Sequence, residues 1–321
     1  MTVLVTGASG HVGANLVSML LAEGESVRCL VHRTPLPYDA PQVKGNLHGA
    51  ASLRAAMEGV DEVIHLAARI SIAGDPDGQV HATNVVGAGN VAEAALAAGV
   101  DRFVHVSSVH AFDLRNPGPV TEESAPSGAG NSAYDRSKAE GEAAVRARVE
   151  QGLPAVIVNP TGVIGPGDLG PSRMGKVFLD LAAGRLPALV SGGFDFVDVR
   201  DVCRGILAAR TKGVVGEGHL LGGAFHTVPE IARAADAALG RRRRRLVLPS
   251  WLALAGVPFA RWAAKGREPE FTAESIGALR HGKHVDHSKA ARVLGHRPRP
   301  LDETVRDVYA DFEARGVLEV R

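Results

Sequence analysis

Tyr134 and Lys138 stand four residues apart in a stretch with helical patterning, which puts both side chains on one helix face. A phenol and an ammonium so placed can move a proton. A free tyrosine titrates near ~10, so working near pH 7 asks for a depression worth about 4 kcal/mol. A cation about 4 Å away supplies on the order of 4 kcal/mol at an intermediate effective dielectric, so Lys138 is expected to hold the phenol down. Upstream, Ser108 falls at the C-terminal end of an expected strand, where ligands of open parallel sheets collect, and its hydroxyl can hydrogen-bond a substrate oxygen. Alone, such a Tyr/Lys pair is more often a surface pair. What precedes it in the chain gives it meaning.

An apolar run at the N-terminus leads directly into Gly7-Ala8-Ser9-Gly10-His11-Val12-Gly13 and then into an amphipathic helical pattern. Strand, glycine loop and helix in that order form a phosphate cradle. Gly7 allows the tight turn, Gly10 admits a pyrophosphate close to the backbone, and Gly13 lets the helix pack near the strand. The helix N-terminus then offers free N–H donors to the phosphates. About twenty residues beyond the glycines an NAD enzyme carries an acid for the adenosine ribose. None stands there; Val31-His32-Arg33-Thr34 carries a base instead. A guanidinium suits the extra 2′-phosphate of NADP, so Arg33 points to NADP(H), with NAD(H) as the other option.

The elements that must position these groups alternate in the first half: strands at Thr2–Thr6, Ser26–Val31, Glu62–Leu66, Arg102–Ser107 and Ala155–Asn159, with helices at Val12–Glu23, Ser52–Glu58, Asn84–Ala98 and Ala133–Gln151. That rhythm predicts an α/β fold, a doubly wound parallel sheet buried on both faces. After Pro160 the pattern breaks into pieces punctuated by glycine and proline. Helical patterns there fall near Gly175–Ala183, Val199–Thr211, Val228–Leu239, Pro249–Ala264, Thr272–Arg280, Ser288–Leu294 and Asp302–Arg315. The expectation is a dinucleotide-binding domain over 1–160, with a return contribution from about 194–225, and a smaller, mostly helical substrate lobe over 161–321.

Taken together these residues resemble the extended short-chain dehydrogenase/reductase superfamily over nearly the whole chain. The resemblance rests on Thr6 to Gly13, His65-Leu66-Ala67-Ala68, Asn84-Val85-Val86-Gly87, Val106-Ser107-Ser108 and the Tyr134/Lys138 pair. The segment from Asn159 through Pro160 and Val163 to Asp168 is similar to the dihydroflavonol-reductase-like branch of the NAD-dependent epimerase/dehydratase family. The resemblance implies a Rossmann sheet in which Gly7, Gly10, His11, Val12 and Gly13 hold the pyrophosphate. Leu66, Ala67 and Ala68 would border the adenosine half. Asn84 and Ser107 would face the nicotinamide side, and Pro160 and Val163 would line its pocket. Where that family carries Asp-Leu against the adenine, this chain reads Asn46-Leu47, which keeps a hydrogen-bonding side chain and loses the charge. The implied activity is hydride transfer to a ketone or aldehyde, or from the alcohol, with Ser108, Tyr134 and Lys138 moving the proton and with Tyr134 and Lys138 also beside the cofactor. Two alternatives share these parts. One is a nucleotide-sugar epimerase/dehydratase with tightly bound NAD, whose diphosphate Arg173, Lys176, Arg185, Arg200 and Arg204 could serve. The other is a redox sensor that binds the cofactor without turnover.

Composition sets the limits. With 45% hydrophobic and 22% charged residues and a formal net charge of +1, the chain has a core to build and no global pull toward nucleic acid. Cys29 and Cys203 lack neighbours at metal-ligand spacing, and no signal-type leader is expected, so the setting is read as reducing and cytoplasmic. The histidines are scattered; His281, His284 and His287 form a loose cluster better read as solvated or capping than as a metal site. The run Arg241 to Arg245 precedes an apolar stretch with Trp251, and Trp262 and Lys265 lie beyond it. It is too short and too broken to span a bilayer, and peripheral membrane contact ranks behind a substrate-lobe helix with a solvated arginine loop. The resemblance also implies a possible homodimer, in which the helices beginning near Asn84 and Ala133 would pair across a two-fold axis.

Overall fold

The computed structural model describes residues 1–32, 36–252 and 282–318, together with 254, 277, 279 and 280. Seven parallel strands form the main sheet: β1 (Thr2–Thr6), β2 (Ser26–Val31), β3 (Gln42–Lys44), β4 (Glu62–His65), β5 (Arg102–Val106), β6 (Ala155–Pro160) and β10 (Gly218–Leu221), in the order β10-β6-β5-β4-β1-β2-β3. The chain winds outward from β1 in one direction, then restarts beside β1 with β4 and winds the other way. This opens a crevice at the C-terminal ends of β1 and β4, the switch point where such sheets bind ligands. Runs such as Val3-Leu4-Val5 and Ala155 to Val158 are apolar throughout because helices cover both faces. On one face lie α1 (His11–Ala22) and α7 (Val199–Lys212), through Leu16, Val17, Leu20, Val202 and Ile206. On the other lie α2 (Ala50–Met57), α4 (Ala88–Ala98) and α5 (Ala133–Val149), through Leu53, Val91, Ala95 and Val145.

A second core forms from α6 (Arg173–Ala183), α8 (Val228–Ala238) and α10 (Leu301–Ala314), where Phe178, Leu181, Ile231, Ala235, Val305, Val308 and Phe312 are buried together. Tyr309 of α10 joins them and donates its hydroxyl to the Phe178 carbonyl at 3.0 Å, so the one polar atom it buries is satisfied. Between the two cores run short strands: β7 (Gly162–Ile164), β9 (Gly193–Asp198) and β11 (Ala224–Thr227) form one sheet, β8 (Ala188–Val190) and β12 (Leu246–Leu248) another. The helix α9 (Ser288–Leu294) packs against the first core through Ala290 and Leu294.

Expected and observed elements agree closely up to Pro160, apart from β3, which the sequence leaves unassigned. Beyond it the strands β7 to β12 are also unassigned by sequence; at three to six residues they are too short to set up an alternating pattern. The expected helices at Pro249–Ala264 and Thr272–Arg280 lie largely outside the described residues, as do Trp262, Lys265 and His281. No helix among the described residues is long and apolar enough to cross a membrane.

Candidate active site

The turn after β1 is built by steric demand. Gly7 has φ +72°, and a Cβ there would lie 2.6 Å from the Ala67 nitrogen on the neighbouring strand end. A Cβ at Gly13 would lie 2.2 Å from the Gly7 carbonyl, so α1 can pack on the loop only with glycine there. Gly10 differs: its Cβ would meet only the Gly7 oxygen, at 3.4 Å, so the protein itself leaves the space open. Gly10 caps α1 without a side chain, and the N–H groups of His11, Val12 and Gly13 open the helix beyond it. The His11 ring turns away and bonds the Pro166 carbonyl at 3.0 Å.

This loop floors a cleft of about 690 Å³ that also touches Val31, His32, Asn46, Leu47, Leu66, Ala67, Ala68 and Arg69. Among the described lining residues His32, His48 and Arg69 are basic or titratable toward positive charge, and none is acidic. Size, a mixed polar and apolar lining and an open cradle at Gly10 fit a dinucleotide. Asn46 uses its side-chain oxygen to accept from the His48 N–H at 2.8 Å, fixing the loop after β3, while Leu47 accepts from Asn90 through its carbonyl. Arg33 lies outside the described residues.

The proton-transfer group stands at the same edge of the sheet. A capping box starts α5: the Ser132 hydroxyl accepts from the Asp135 N–H at 3.1 Å, and the Asp135 carboxylate accepts from the Ser132 N–H at 3.3 Å. It fixes Tyr134 in the first turn and sends Lys138, one turn on, under the end of β5, where Nζ donates to the Val106 carbonyl at 3.2 Å. The Tyr134 phenol is near enough to Ser108 for that hydroxyl to favour its ionised form. Ser107, next door, is buried, and its hydroxyl has no hydrogen-bond partner among the described residues. Pro160 ends β6, and Val163, in β7, is half-buried at the same side. The structure thus brings Ser107, Ser108, Tyr134 and Lys138 together. An orphaned serine hydroxyl at the mouth of the sheet fits the polar end of a nicotinamide cofactor.

The electrostatics differ from the expectation that Lys138 acidifies the phenol. Burial pushes Tyr134 up to about 12; Ser108 acts downward, and Asp135 adds to the rise. Burial also pulls Lys138 down to about 8, against the opposing carboxylate of Glu142. The ammonium donates to a backbone carbonyl, and desolvation, not the lysine, sets the direction at the phenol. The protein's own groups therefore keep the Tyr134 phenol neutral across the physiological range.

Asn84 sits in a π-helical turn (Ala82–Gly87) that links α3 (Gln79–His81) to α4, an irregularity that frequently marks functional sites. Its Oδ1 accepts from the Arg69 N–H at 2.7 Å, and its Nδ2 donates to the Arg69 carbonyl and to Ser137 Oγ at 3.0 and 2.8 Å. Both amide hydrogens are committed, so only one oxygen lone pair is left for a ligand. Behind Ser108, Asn159 donates to the Ser108 carbonyl at 3.2 Å and to Glu142 at 2.9 Å.

His110 escapes the sequence reading. It lies in a 3-10 turn directly after Ser108, and its Nδ1 is 2.8 Å from the Asp135 carboxylate. The ring meets Tyr134 edge-on, with centroids 5.4 Å apart, and stacks on Phe194 of β9 at 5.6 Å. The signal available in sequence is only a histidine two residues past the serine and an acid next to the tyrosine. The partner Phe194 comes from far along the chain.

Other sequence candidates resolve differently. Arg185 pairs with Asp180, Arg200 with Asp198 and Asp307, and Arg204 with Asp201, so these cations are engaged within the protein. His284 packs on Phe225 and His287 on His296. Two buried histidines below the site, His65 and His105, stack at 5.5 Å.

Fold and site together define a dinucleotide-dependent enzyme of the short-chain dehydrogenase/reductase type, and comparison with known proteins gives its family. Residues 3–222 match the model of the NAD dependent epimerase/dehydratase family, and the chain belongs to it. It is 39% identical to "Sterol demethylase protein B" of Methylococcus capsulatus, over 99% of this chain and 100% of that one. It is 31% identical to a "Putative dihydroflavonol 4-reductase" of Synechocystis sp., over 99% and 96%. It is 30% identical to a "3-beta-hydroxysteroid dehydrogenase" of Mycolicibacterium neoaurum, over 92% and 87%. The protein is an NAD(P)-dependent oxidoreductase of the extended superfamily.

Proposed function

We propose that the protein reduces a ketone on a large apolar, sterol-like skeleton with NADPH, and that residues from 161 onward supply most of the substrate lobe. The observation that carries this reading is Tyr134, a phenol kept neutral by desolvation and placed near Ser108 and, through α5, one turn from Lys138, in a fold whose glycine loop floors a cleft of dinucleotide size. A neutral phenol suits the proton donor of a reduction. When bound, the cofactor supplies the hydride to the carbonyl carbon. Ser108 polarises the carbonyl oxygen, Tyr134 gives that oxygen its proton, and Lys138 stabilises the phenolate left behind and reaches the cofactor ribose. The stacked His110 and Phe194 rings offer a flat wall to fused rings, and the names of the relatives point to sterol, steroid and flavonoid substrates. NADP(H) over NAD(H) is supported by the acid-free cleft and by Arg33 after β2. Cys29 and Cys203, buried and unpaired, support a reducing cytoplasmic setting.

The test is a cofactor titration followed by a panel of steroid and flavonoid ketones, read as loss of NADPH absorbance. Turnover is expected, and Tyr134→Phe should lower kcat about 10³-fold while leaving NADPH affinity within about twofold of the parent. Purified protein that carries bound NAD, ignores NADPH and interconverts sugar nucleotides would overturn the reading in favour of an epimerase. Equal cellular function of Tyr134→Phe would favour a sensor.

A further inference from the structure

The five arginines from Arg241 to Arg245 do not act as one run. Arg245 is buried and forms a bidentate pair with the buried Asp236, and it also donates to the Leu186 carbonyl. Arg241 donates to the Ala182 carbonyl at 2.6 Å. These two are structural. Arg242, Arg243 and Arg244 between them are exposed, and none has a carboxylate partner among the described residues. Directly after them β12 runs as the outer strand of its two-stranded sheet, with Leu246 64% and Val247 44% exposed, and the chain continues to Trp251, 66% exposed, and Leu252. Three unpaired cations thus border four exposed apolar side chains, in a chain whose net charge is only +1.

This patch is tied by backbone hydrogen bonds to the segment that leads to Phe194. The Ser191 N–H donates to the Leu248 carbonyl at 2.8 Å, and the Ser191 hydroxyl accepts from the Ser250 N–H at 3.0 Å. Ser191 lies in the bend between β8 and β9, and Phe194 of β9, whose ring stacks on His110 beside Tyr134, is three residues further on, a span of at most about 10 Å.

We propose that Arg242, Arg243, Arg244, Leu246, Val247 and Trp251 form a docking surface for an anionic phospholipid bilayer, which brings the site against the membrane that holds its substrate. The guanidinium groups meet lipid phosphates, leucine and valine enter the acyl boundary, and the tryptophan ring settles at headgroup level. The contact is peripheral. Its purpose rests on the lipidic substrate proposed above, but its test does not.

The experiment uses the full chain with vesicles of phosphatidylcholine alone or mixed with phosphatidylglycerol, separated by sedimentation. Binding is expected on the mixed vesicles and is expected to weaken with salt. Arg242→Gln with Arg244→Gln should lower the partition coefficient on the order of 25-fold, since each cation near an anionic surface contributes roughly fivefold. In a Trp262→Phe background, Trp251 fluorescence should shift to the blue on the same vesicles and be quenched by brominated acyl chains. Equal partition onto both vesicle types, an unaltered partition of the arginine variant, or capture by heparin or RNA without vesicle binding would overturn the proposal. Soluble-ketone turnover, which these exposed substitutions should leave intact, separates the two claims. Turnover without vesicle binding removes the docking surface alone, and vesicle binding without turnover of any ketone removes the reductase reading alone.

Discussion

The glycine loop and the Ser108/Tyr134/Lys138 group are held by different physics. At the glycine loop the constraint is shape: backbone atoms stand where any side chain would have to go, at 2.6 Å from Gly7 and 2.2 Å from Gly13. At the Ser108/Tyr134/Lys138 end the constraint is charge: polar groups are taken from water and their protonation is set by what little remains to stabilise them. Shape is local and can be read from neighbouring residues. Charge depends on burial, which the whole chain decides.

The sharpest way to break this contrast is within the loop itself. Gly13→Ala drives a methyl into the Gly7 carbonyl and the Ala8 Cα, backbone atoms that cannot give way, and should cost on the order of 3 kcal/mol of stability in urea unfolding. Gly10→Ala meets only a 3.4 Å contact and should unfold within about 1 kcal/mol of the parent, while its affinity for NADPH falls at least about tenfold. Equal destabilisation by both substitutions would mean that the loop is a plain steric turn and that Gly10 serves no ligand.

How much of this was legible follows the same division. The strand, loop and helix around Gly7 to Gly13 are readable because each residue's requirement is met by its own neighbours. The start of α5 is readable because Ser132, Tyr134 and Asp135 fall within one turn. The direction of the Tyr134 shift is not, because spacing places Lys138 near the phenol without showing that Nζ is buried and committed to Val106 and that desolvation dominates at the phenol. His110 is invisible for a related reason, since Phe194, its stacking partner, arrives from residues beyond 160 on a six-residue strand with no pattern of its own.

The buried histidines sharpen the contrast at the charge-controlled end. Burial, with Lys138 adding to it, holds His65 down to about 3, and the same causes with His65 and Arg146 hold His105 well below 6.5. Both are neutral in the folded protein, while in the unfolded chain they take up protons near 6.5. As pH falls below 6.5 the unfolded state therefore binds more protons and stability drops, by about 2 kcal/mol per histidine at pH 5. The decline should be visible in urea midpoints between pH 6.5 and 5. His105→Asn should roughly halve its slope whatever it does to the midpoint at neutral pH, and an unchanged slope would show that His105 is not a buried neutral group.

The smallest expected effect isolates Lys138. Its ammonium is pulled down to about 8 by burial, and the Glu142 carboxylate, one turn along α5, is what opposes the fall. In the proposed ketone reduction the charged lysine is the active form, so kcat/KM should be flat below about 8 and decline above it, while Tyr134, pushed up to about 12, stays protonated throughout. Removing the carboxylate charge in Glu142→Gln takes away the opposing influence, and the basic limb should move to lower pH by up to about one unit, equivalent to about 1.4 kcal/mol. Glutamine keeps an oxygen for the Asn159 hydrogen bond that steadies Ser108, so the plateau below the limb should hold, and Glu142→Asp should restore the limb. A lowered plateau with an unmoved limb would assign Glu142 to packing and leave the lysine's charge to some other group.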